Sequence, residues 1–412
     1  MNPEVVIVGG GPGGAAAAYW LARSGHSVVL AEKKRFPRDK TCGDGLTPRA
    51  IHQLTEMGFD FAVPELHKIV GLRAYAGGVK LEMPWPDHSI YPNWGAVIRR
   101  TDLDMQVAAL AEKQGALILQ GTTAEPVVEG GRLTGVRLKD GDGDERLVHP
   151  KVTVIADGSL SRFGRKLGTE RNKAYPYGLA VRGYYNSPRS DDQYLESHLD
   201  IRDSNGSPLP GYGWIFPLGD GQLNIGAGAV STFKGWKEFN SNKLMDALIE
   251  ALPEYWGVTP ESVVVAPKGG KLPMTFSVSP KAGPNWVLVG DAAGAVNAFN
   301  GEGIDYGYET GRLAAHYISQ AIGSDDLGLL QNYPAALEDQ YGLYNKVARL
   351  FLTAIGRPQV MGALVRTGMR SRPLMEWVLK VMANLMEPED RGFGEQVYGA
   401  IERIVRVTPD VR

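Results

Sequence analysis

The sequence predicts a mixed α/β fold: a parallel sheet wound with helices, an antiparallel sheet inserted into it, and a helical tail. Three observations point there. The short runs at residues 5–8, 28–30, 152–155 and 286–289 are apolar nearly throughout, as strands buried on both faces are. Between 70 and 98, and again between about 179 and 274, apolar and polar residues alternate with glycine and proline punctuation, which reads as antiparallel strands. From about residue 329 the pattern turns helical and stays so.

The first element, residues 5–32, reads VVIVGGGPGGAAAAYWLARSGHSVVLAE. A β-branched strand runs into Gly9, Gly11 and Gly14, an alanine-rich helix spans about 13–24, and a second strand ends at Glu32. Gly9 permits a sharp turn, Gly11 lets backbone approach a pyrophosphate, and Gly14 lets helix pack on strand. The free N–H groups at the helix start hold phosphate charge, and Glu32 can accept from ribose hydroxyls. Three glycines alone often mark only a turn. Strand, glycines, helix, strand and acid in this order predict a Rossmann-like dinucleotide site.

Residues 33–50, KKRFPRDKTCGDGLTPRA, form a loop over that crevice, and Pro48 opens the next helix. Cys42 could be a reactive thiol there; as a residue pattern alone, a small side chain in a tight turn is the favoured reading. A helix within 98–116 should start near Thr101 or Asp102, with Leu103, Val107, Leu110 and Ala111 on its buried face. Arg100, just before it, either reaches the ligand or is a solvated cap residue. Short strands with turns at 129–131 and 140–141 lead back to the first sheet. The strand at 152–155 ends in Ala156-Asp157-Gly158, a second strand-to-helix turn.

In the strand-rich middle a helical insert covers about 242–251. Tyr212, Trp214 and Phe216 alternate and so share one face of a strand. Gly226 and Gly228 on the return strand leave space opposite, which makes either a slot or an ordinary aromatic core. The strand at 286–289 leads to Asp291, placed to bind polyol hydroxyls. Asn300-Gly301-Glu302-Gly303 then opens a helix at Ile304. In the tail, Lys346, Arg349, Arg357, Arg366, Arg370, Arg372 and Lys380 interleave with Leu350, Phe351, Leu352, Leu364, Trp377, Val378 and Met382. That mixture suits a membrane-surface helix region or a solvated basic face.

Composition narrows the function. At 412 residues with 43% hydrophobic and 22% charged content, the chain is an ordinary globular protein of two or three domains. A net charge of −2 gives no overall attraction to nucleic acid. One cysteine allows no internal disulfide, and seven scattered histidines without an H-E-x-x-H pattern suggest no metal site. No signal peptide and no run of about eighteen apolar residues is found. The expected location is the cytoplasm, peripheral on the inner face of the cell membrane.

The glycine motif with Glu32, the Asp157-Gly158 turn and the Gly290-Asp291 turn together resemble the flavoprotein hydroxylase superfamily of the p-hydroxybenzoate hydroxylase fold. Within it, FPRDKTCGDGLTPRA, the segment Pro210-Gly211-Tyr212-Gly213-Trp214-Ile215-Phe216-Pro217 and NGEGIDYGYETGRLAA resemble the geranylgeranyl reductase family, and the match is similar again to its actinobacterial menaquinone reductases. The resemblance implies FAD as cofactor, held by Gly9, Gly11, Pro12, Gly13, Gly14, Glu32, Lys33, Cys42, Gly43, Arg100, Asp157, Asp291, Gly301, Gly303 and Ile304. It implies Cys42, Tyr212 and Trp214 as catalytic candidates beside the flavin. It also divides the chain into a discontinuous FAD-binding domain (1–70, 98–168, 275–325), an antiparallel-sheet substrate domain (71–97, 169–274) and a C-terminal helical region (326–412). Ala298 stands where the family usually has proline, so a looser loop is expected there.

The implied reaction saturates a C=C bond in a prenyl lipid, one isoprene unit of a menaquinone tail or a bond in a geranylgeranyl diphosphate or archaeal-type lipid, with electrons from an unidentified donor. Cys42, Tyr212 or a trapped water could give the proton. The tail dominates recognition, because burying a five-carbon unit is worth roughly 4 kcal/mol. Arg35, Arg38 and Lys40 could form a basic mouth for a diphosphate. The rival readings are an FAD-dependent aromatic monooxygenase on the same scaffold and a prenyl-chain carrier without chemistry.

Overall fold

The structure, a computed structural model, describes residues 2–202, 206–238, 240–387 and 392–407. Parts of the expected strand-rich middle (203–205, 239) and helical tail (388–391, 408–412) lie outside the described residues. The helices are α1 (Pro12–Arg23), α2 (Pro48–Glu56), α3 (Arg100–Lys113), α4 (Arg162–Lys166), α5 (Ser241–Ala251), α6 (Ile304–Gly323), α7 (Asn332–Ile355), α8 (Pro358–Gly368), α9 (Arg372–Met382) and α10 (Phe393–Val407).

A five-stranded parallel sheet has the order Trp286–Leu288, Val152–Ile155, Val5–Val8, Val28–Glu32, Leu117–Gln120. Its central strands are buried end to end, which is why their sequences are apolar rather than alternating. Val8 lies opposite both Ile155 and Ala31, and Ile155 lies opposite Leu288. The loops that start at Gly9, Ala156 and Val289 therefore open on one edge. The chain continues from the central strand to neighbours on both sides, so this edge holds the switch-point crevice of a doubly wound sheet.

Small residues bring the helices close. Alanine favours the helix and keeps α1 thin. A Cβ on Gly311 of α6 would lie 2.5 Å from the Gly13 carbonyl oxygen, and one on Gly307 would lie 3.0 Å from Pro12 Cβ. In α3, Leu103, Val107 and Ala111 are buried as the periodicity predicts, while Leu110 is half-buried. The helix begins at Arg100 itself, not after it.

The second sheet has seven strands, in the order Val263–Pro273, Tyr177–Asn186, Gln222–Val230, Gly211–Pro217, Tyr194–His198, Gly71–Ala76, Val79–Pro84. Its one parallel pairing joins Tyr194–His198 to Gly71–Ala76, strands that enter from separate stretches of chain. Thr123–Glu129, Arg132–Lys139 and Glu145–Val148 make a small antiparallel sheet of their own.

The tail helices close over the second sheet and the loop before α6. Tyr344, Val347, Ala348, Leu352 and Ile355 of α7 and Val381 of α9 share one core with Val230, Met274, Val296, Ala298 and Phe299. The looseness expected at Ala298 is not found. That residue is buried, and neighbouring Asn297 donates to the Tyr344 hydroxyl (3.1 Å) and the Met382 carbonyl (2.9 Å). Arg349, read as part of a basic surface, is also buried, its guanidinium 4.3 Å from the centre of the Tyr175 ring. Among the described residues no helix is long and apolar enough to cross a membrane.

Candidate active site

A single cavity of about 1250 Å³ runs from the crevice of the parallel sheet, between the two sheets, to the tail helices. Sixteen of the predicted site residues line it: Gly9, Gly11, Pro12, Gly13, Glu32, Lys33, Cys42, Gly43, Arg100, Asp157, Tyr212, Trp214, Asp291, Gly301, Gly303 and Ile304. Gly14 does not.

The three motif glycines do different work. Gly9 has φ +103°, and a Cβ on it would lie 2.4 Å from the Ala156 oxygen; a Cβ on Gly14 would lie 1.9 Å from the Gly9 oxygen. Both positions lock strand, helix and neighbouring loop together. A Cβ on Gly11 would instead enter open cavity, with Arg100 Nη2 the nearest atom at 4.0 Å. No side chain caps α1 or α6, so the N–H groups at both helix starts are free for a ligand.

Acids surround this end. Glu32 accepts from the backbone N–H of Gly10 and of Lys34, both at 2.9 Å. Asp157 Oδ2 accepts from Phe163 N at 2.9 Å, while its Oδ1 is buried without a hydrogen-bond partner. Asp291 Oδ1 lies 3.5 Å from the position of a Cβ on Gly303. Two uncapped helix starts on the cavity wall, open space at Gly11, an orphaned carboxylate oxygen and two further carboxylates fit the pyrophosphate and polyol parts of FAD.

Two basic residues turn inward. Arg100 is no solvated cap: it is buried, bonds Asp104 through Nε (2.7 Å) and Nη2 (2.8 Å), and faces the Cys42 thiol. Arg38 does not sit at an open mouth. It turns inward to Asp104 (2.9 Å), Glu32 (3.4 Å) and the Gly10 carbonyl (3.1 Å), and so braces the crevice.

The middle of the cavity is held by hydrogen bonds. Asn224 Nδ2 donates to the Cys42 carbonyl and to Asp44 Oδ2, both at 2.8 Å, and its Oδ1 accepts from Trp214 Nε1 at 3.0 Å. Arg182 Nε also donates to the Cys42 carbonyl, at 3.2 Å, and Tyr184 donates to Asp44 at 2.6 Å. Burial pushes the Cys42 thiol up, against the pull of Arg100, so the thiol keeps its proton. Burial likewise raises Tyr212, whose hydroxyl donates to the Asn300 carbonyl.

Tyr212, Trp214 and Phe216 do pair with Gly228, Gly226 and Asn224 across the sheet. Gly228 borders the cavity, but Gly226 leaves no slot. A Cβ on Gly226 would lie 2.2 Å from the Trp214 ring, so the indole itself fills the space over that residue.

At the far end the wall is apolar. Phe351 and Leu352 of α7, Met361, Leu364 and Val365 of α8, and Met375, Trp377, Val378 and Met382 of α9 face Leu72, Met83 and Leu195 of the second sheet. Six of the tail's apolar residues, which the sequence left between a membrane surface and a packed helix face, thus line the cavity: Phe351, Leu352, Leu364, Trp377, Val378 and Met382. The lining residues from α7, α8 and α9 carry no charge. Asp44, Asn224, Arg182, Thr47 and Glu302 were missed by sequence reasoning. Asp44 and Glu302 each sit between glycines and were read only as loop, and nothing local to Asn224 or Arg182 reports a partner more than a hundred residues away.

Comparison with known proteins agrees with this geometry. The FAD binding domain family model matches residues 2–180. Menaquinone reductase of Mycobacterium tuberculosis is 41% identical over 411 residues, covering 99% of this chain and 98% of that protein. Digeranylgeranylglycerophospholipid reductase 2 of Methanosphaera stadtmanae is 29% identical over 373 residues, 86% of this chain and 88% of that one. Among solved structures, a geranylgeranyl bacteriochlorophyll reductase-like protein from Thermoplasma acidophilum shares the fold, with a TM-score of 0.79 at 23% identity over 97% of this chain and 99% of that one. The chain therefore belongs to the geranylgeranyl reductase family of FAD-dependent reductases, together with the mycobacterial menaquinone reductases.

Proposed function

We propose that this protein saturates one C=C bond in the isoprenoid chain of a prenyl lipid, namely one isoprene unit of a menaquinone tail. The observation that carries the reading is the continuity of the cavity from the dinucleotide crevice, past Cys42, Tyr212 and Trp214, into an apolar compartment walled by α7, α8 and α9. The 41% identity to a menaquinone reductase supports the quinone over other prenyl lipids. The uncharged far wall supports it too, since a diphosphate head would need cations there.

When bound, FAD supplies the two electrons as hydride. The chain's own residues do the rest. Gly11, Pro12 and Gly13 at the α1 start and Gly301, Gly303 and Ile304 at the α6 start take phosphate and ring edge. Glu32, Lys33, Asp157 and Asp291 orient the sugar and ribitol hydroxyls. Arg100, Cys42 and Gly43 border the reacting centre, and Tyr212 and Trp214 wall the double bond and exclude water.

An archaeal-type prenyl lipid is the second reading, favoured by the 29% identity to a digeranylgeranylglycerophospholipid reductase. Mass spectrometry of membrane quinones and prenyl lipids, with and without the protein, separates the two: a gain of two mass units in one class names the substrate. Substrate-dependent oxygen consumption with NAD(P)H and no such gain would favour a monooxygenase instead. The lipid would be taken from the inner face of the cell membrane. Gly368 is the only buried residue of α8, and Leu364 is 48% exposed between Arg357 and Arg366.

A further inference from the structure

We propose that Glu302 is the proton donor of the reduction, giving its carboxyl proton to the alkene from the start of α6. The assignment rests on the prenyl-reductase reading above. Glu302 lines the cavity between Gly301 and Gly303. Thr47, at the start of α2, donates to its Oε1 at 2.5 Å, and Asn300 Nδ2 lies 3.3 Å from its Oε2. The same Asn300 accepts the Tyr212 hydroxyl at its carbonyl, so acid and aromatic wall are joined through one residue.

The charge balance behind it explains why Glu302 holds a proton. Among the described residues, three carboxyls, Glu302, Asp305 and Glu309, face a single cation, Arg49 of α2. Arg49 commits to Glu309, with Nη2 2.7 Å from both carboxylate oxygens, and the Tyr341 hydroxyl donates to Glu309 as well. Its Nε is 3.7 Å from Asp305 Oδ2, and both Asp305 oxygens are buried without a hydrogen-bond partner. Tyr91 and Tyr306 flank the guanidinium with their rings and bring no charge. One guanidinium cannot hold three buried carboxylates ionised. Asp305 and Glu302 are the two left over. Asp305 is wholly enclosed, whereas Glu302 borders the cavity.

The acidities agree. Burial, opposed by Thr47 and Arg49, pushes Glu302 up to about 7. Cys42 and Tyr212 are both raised from ordinary values that already lie well above neutrality, so each is a weaker acid. In the step, the alkene π pair takes the Glu302 proton to form one C–H bond. Hydride supplied by reduced FAD forms the other. The products are the saturated unit, oxidised FAD and the Glu302 carboxylate, which regains a proton from water. Because the acid form is the active one, the rate is half-maximal at about pH 7, rises to a plateau below it and falls above it.

The test is rapid-quench turnover of FAD-loaded, chemically reduced protein, mixed without oxygen with menaquinone or geranylgeraniol in detergent micelles, reading the two-unit mass gain of the chain across pH. The native rate should fall about tenfold per pH unit above neutrality. Glu302→Gln should be slower by about 100-fold, without that limb, and with FAD content unchanged. Glu302→Asp should regain part of the rate and the limb. A native profile that is flat from roughly pH 6 to 9, or Glu302→Gln at native rate, overturns the proposal. Should Glu302→Gln lose FAD, the native profile and Glu302→Asp decide. Native protein that saturates neither lipid overturns the functional reading, and this proposal with it.

Discussion

The two ends of the cavity are built on opposite plans. The crevice end is built from the turns that follow four parallel strands and from the α6 start, with Gly9 and Gly14 set so that any added Cβ would lie 1.9 to 2.4 Å from a carbonyl oxygen. The far end is long apolar side chains on three helices, and α8 there buries only Gly368. The first end must present a fixed set of donors to one cofactor. The second, on the proposed reading, admits a flexible chain whose contacts are non-directional, so its wall tolerates exposure. Rigidity and chemistry belong to one end, capacity to the other.

The sharpest way to break that contrast is within the glycine motif itself. Gly11 has ordinary extended backbone (φ −80°, ψ −176°) and open space where a side chain would go. Gly11→Val should therefore fold with an unchanged thermal midpoint when measured without FAD, yet retain under a tenth of native flavin after purification. Gly14→Val, whose Cβ would meet the Gly9 oxygen, should fail to give folded protein at all. Equal behaviour of the two variants in unfolding and flavin content would mean that the motif has no division between packing and binding.

The same contrast decides what was legible in the sequence. The crevice follows from local spacing: Gly9, Gly11 and Glu32 lie within one strand-helix-strand unit, and each of Asp157 and Asp291 follows its own buried strand. The carboxylate array does not, because Arg49 meets Glu309 across 260 positions and only the folded chain gathers three acids around it. The lining role of the tail stayed hidden for a related reason. Phe351, Leu364 and Trp377 carry the amphipathic pattern of a surface helix, and pattern alone cannot say whether an apolar face meets lipid or a lipid-sized cavity. Trp214 was placed correctly on its strand, but whether its ring fills the space over Gly226 depends on a rotamer that no spacing encodes.

Trp214 stands where the two plans meet. Its indole is held by Asn224 and packs over Gly226, with 7% of the residue exposed. Trp214→Ala should cost about 3 kcal/mol of stability, the low end for deleting a buried indole, because one face already borders a void. Turnover should drop more than tenfold with most of the FAD retained. Trp214→Phe should restore much of the stability but not the hold on Asn224, and through it on Cys42. Flavin content scored beside turnover separates the roles: loss of FAD in both variants would place Trp214 with the crevice and not with the substrate wall.

The smallest effect is expected at the outer rim. Leu364 is 48% exposed yet contributes to the cavity wall, so it sits on neither the core nor the crevice side of the contrast. Leu364→Asp should leave stability within about 0.5 kcal/mol of native and FAD content unchanged, since no buried contact is lost. Its cost should fall on access: a several-fold rise in KM for a prenyl lipid presented in vesicles, with kcat nearly unchanged, and weaker co-sedimentation with anionic vesicles. A charge there removes apolar contact and repels an anionic surface, and both act before the chain reaches the flavin. Were kcat to fall instead while KM stayed fixed, α8 would belong to the reacting centre, and the separation of chemistry from capacity would have to be redrawn.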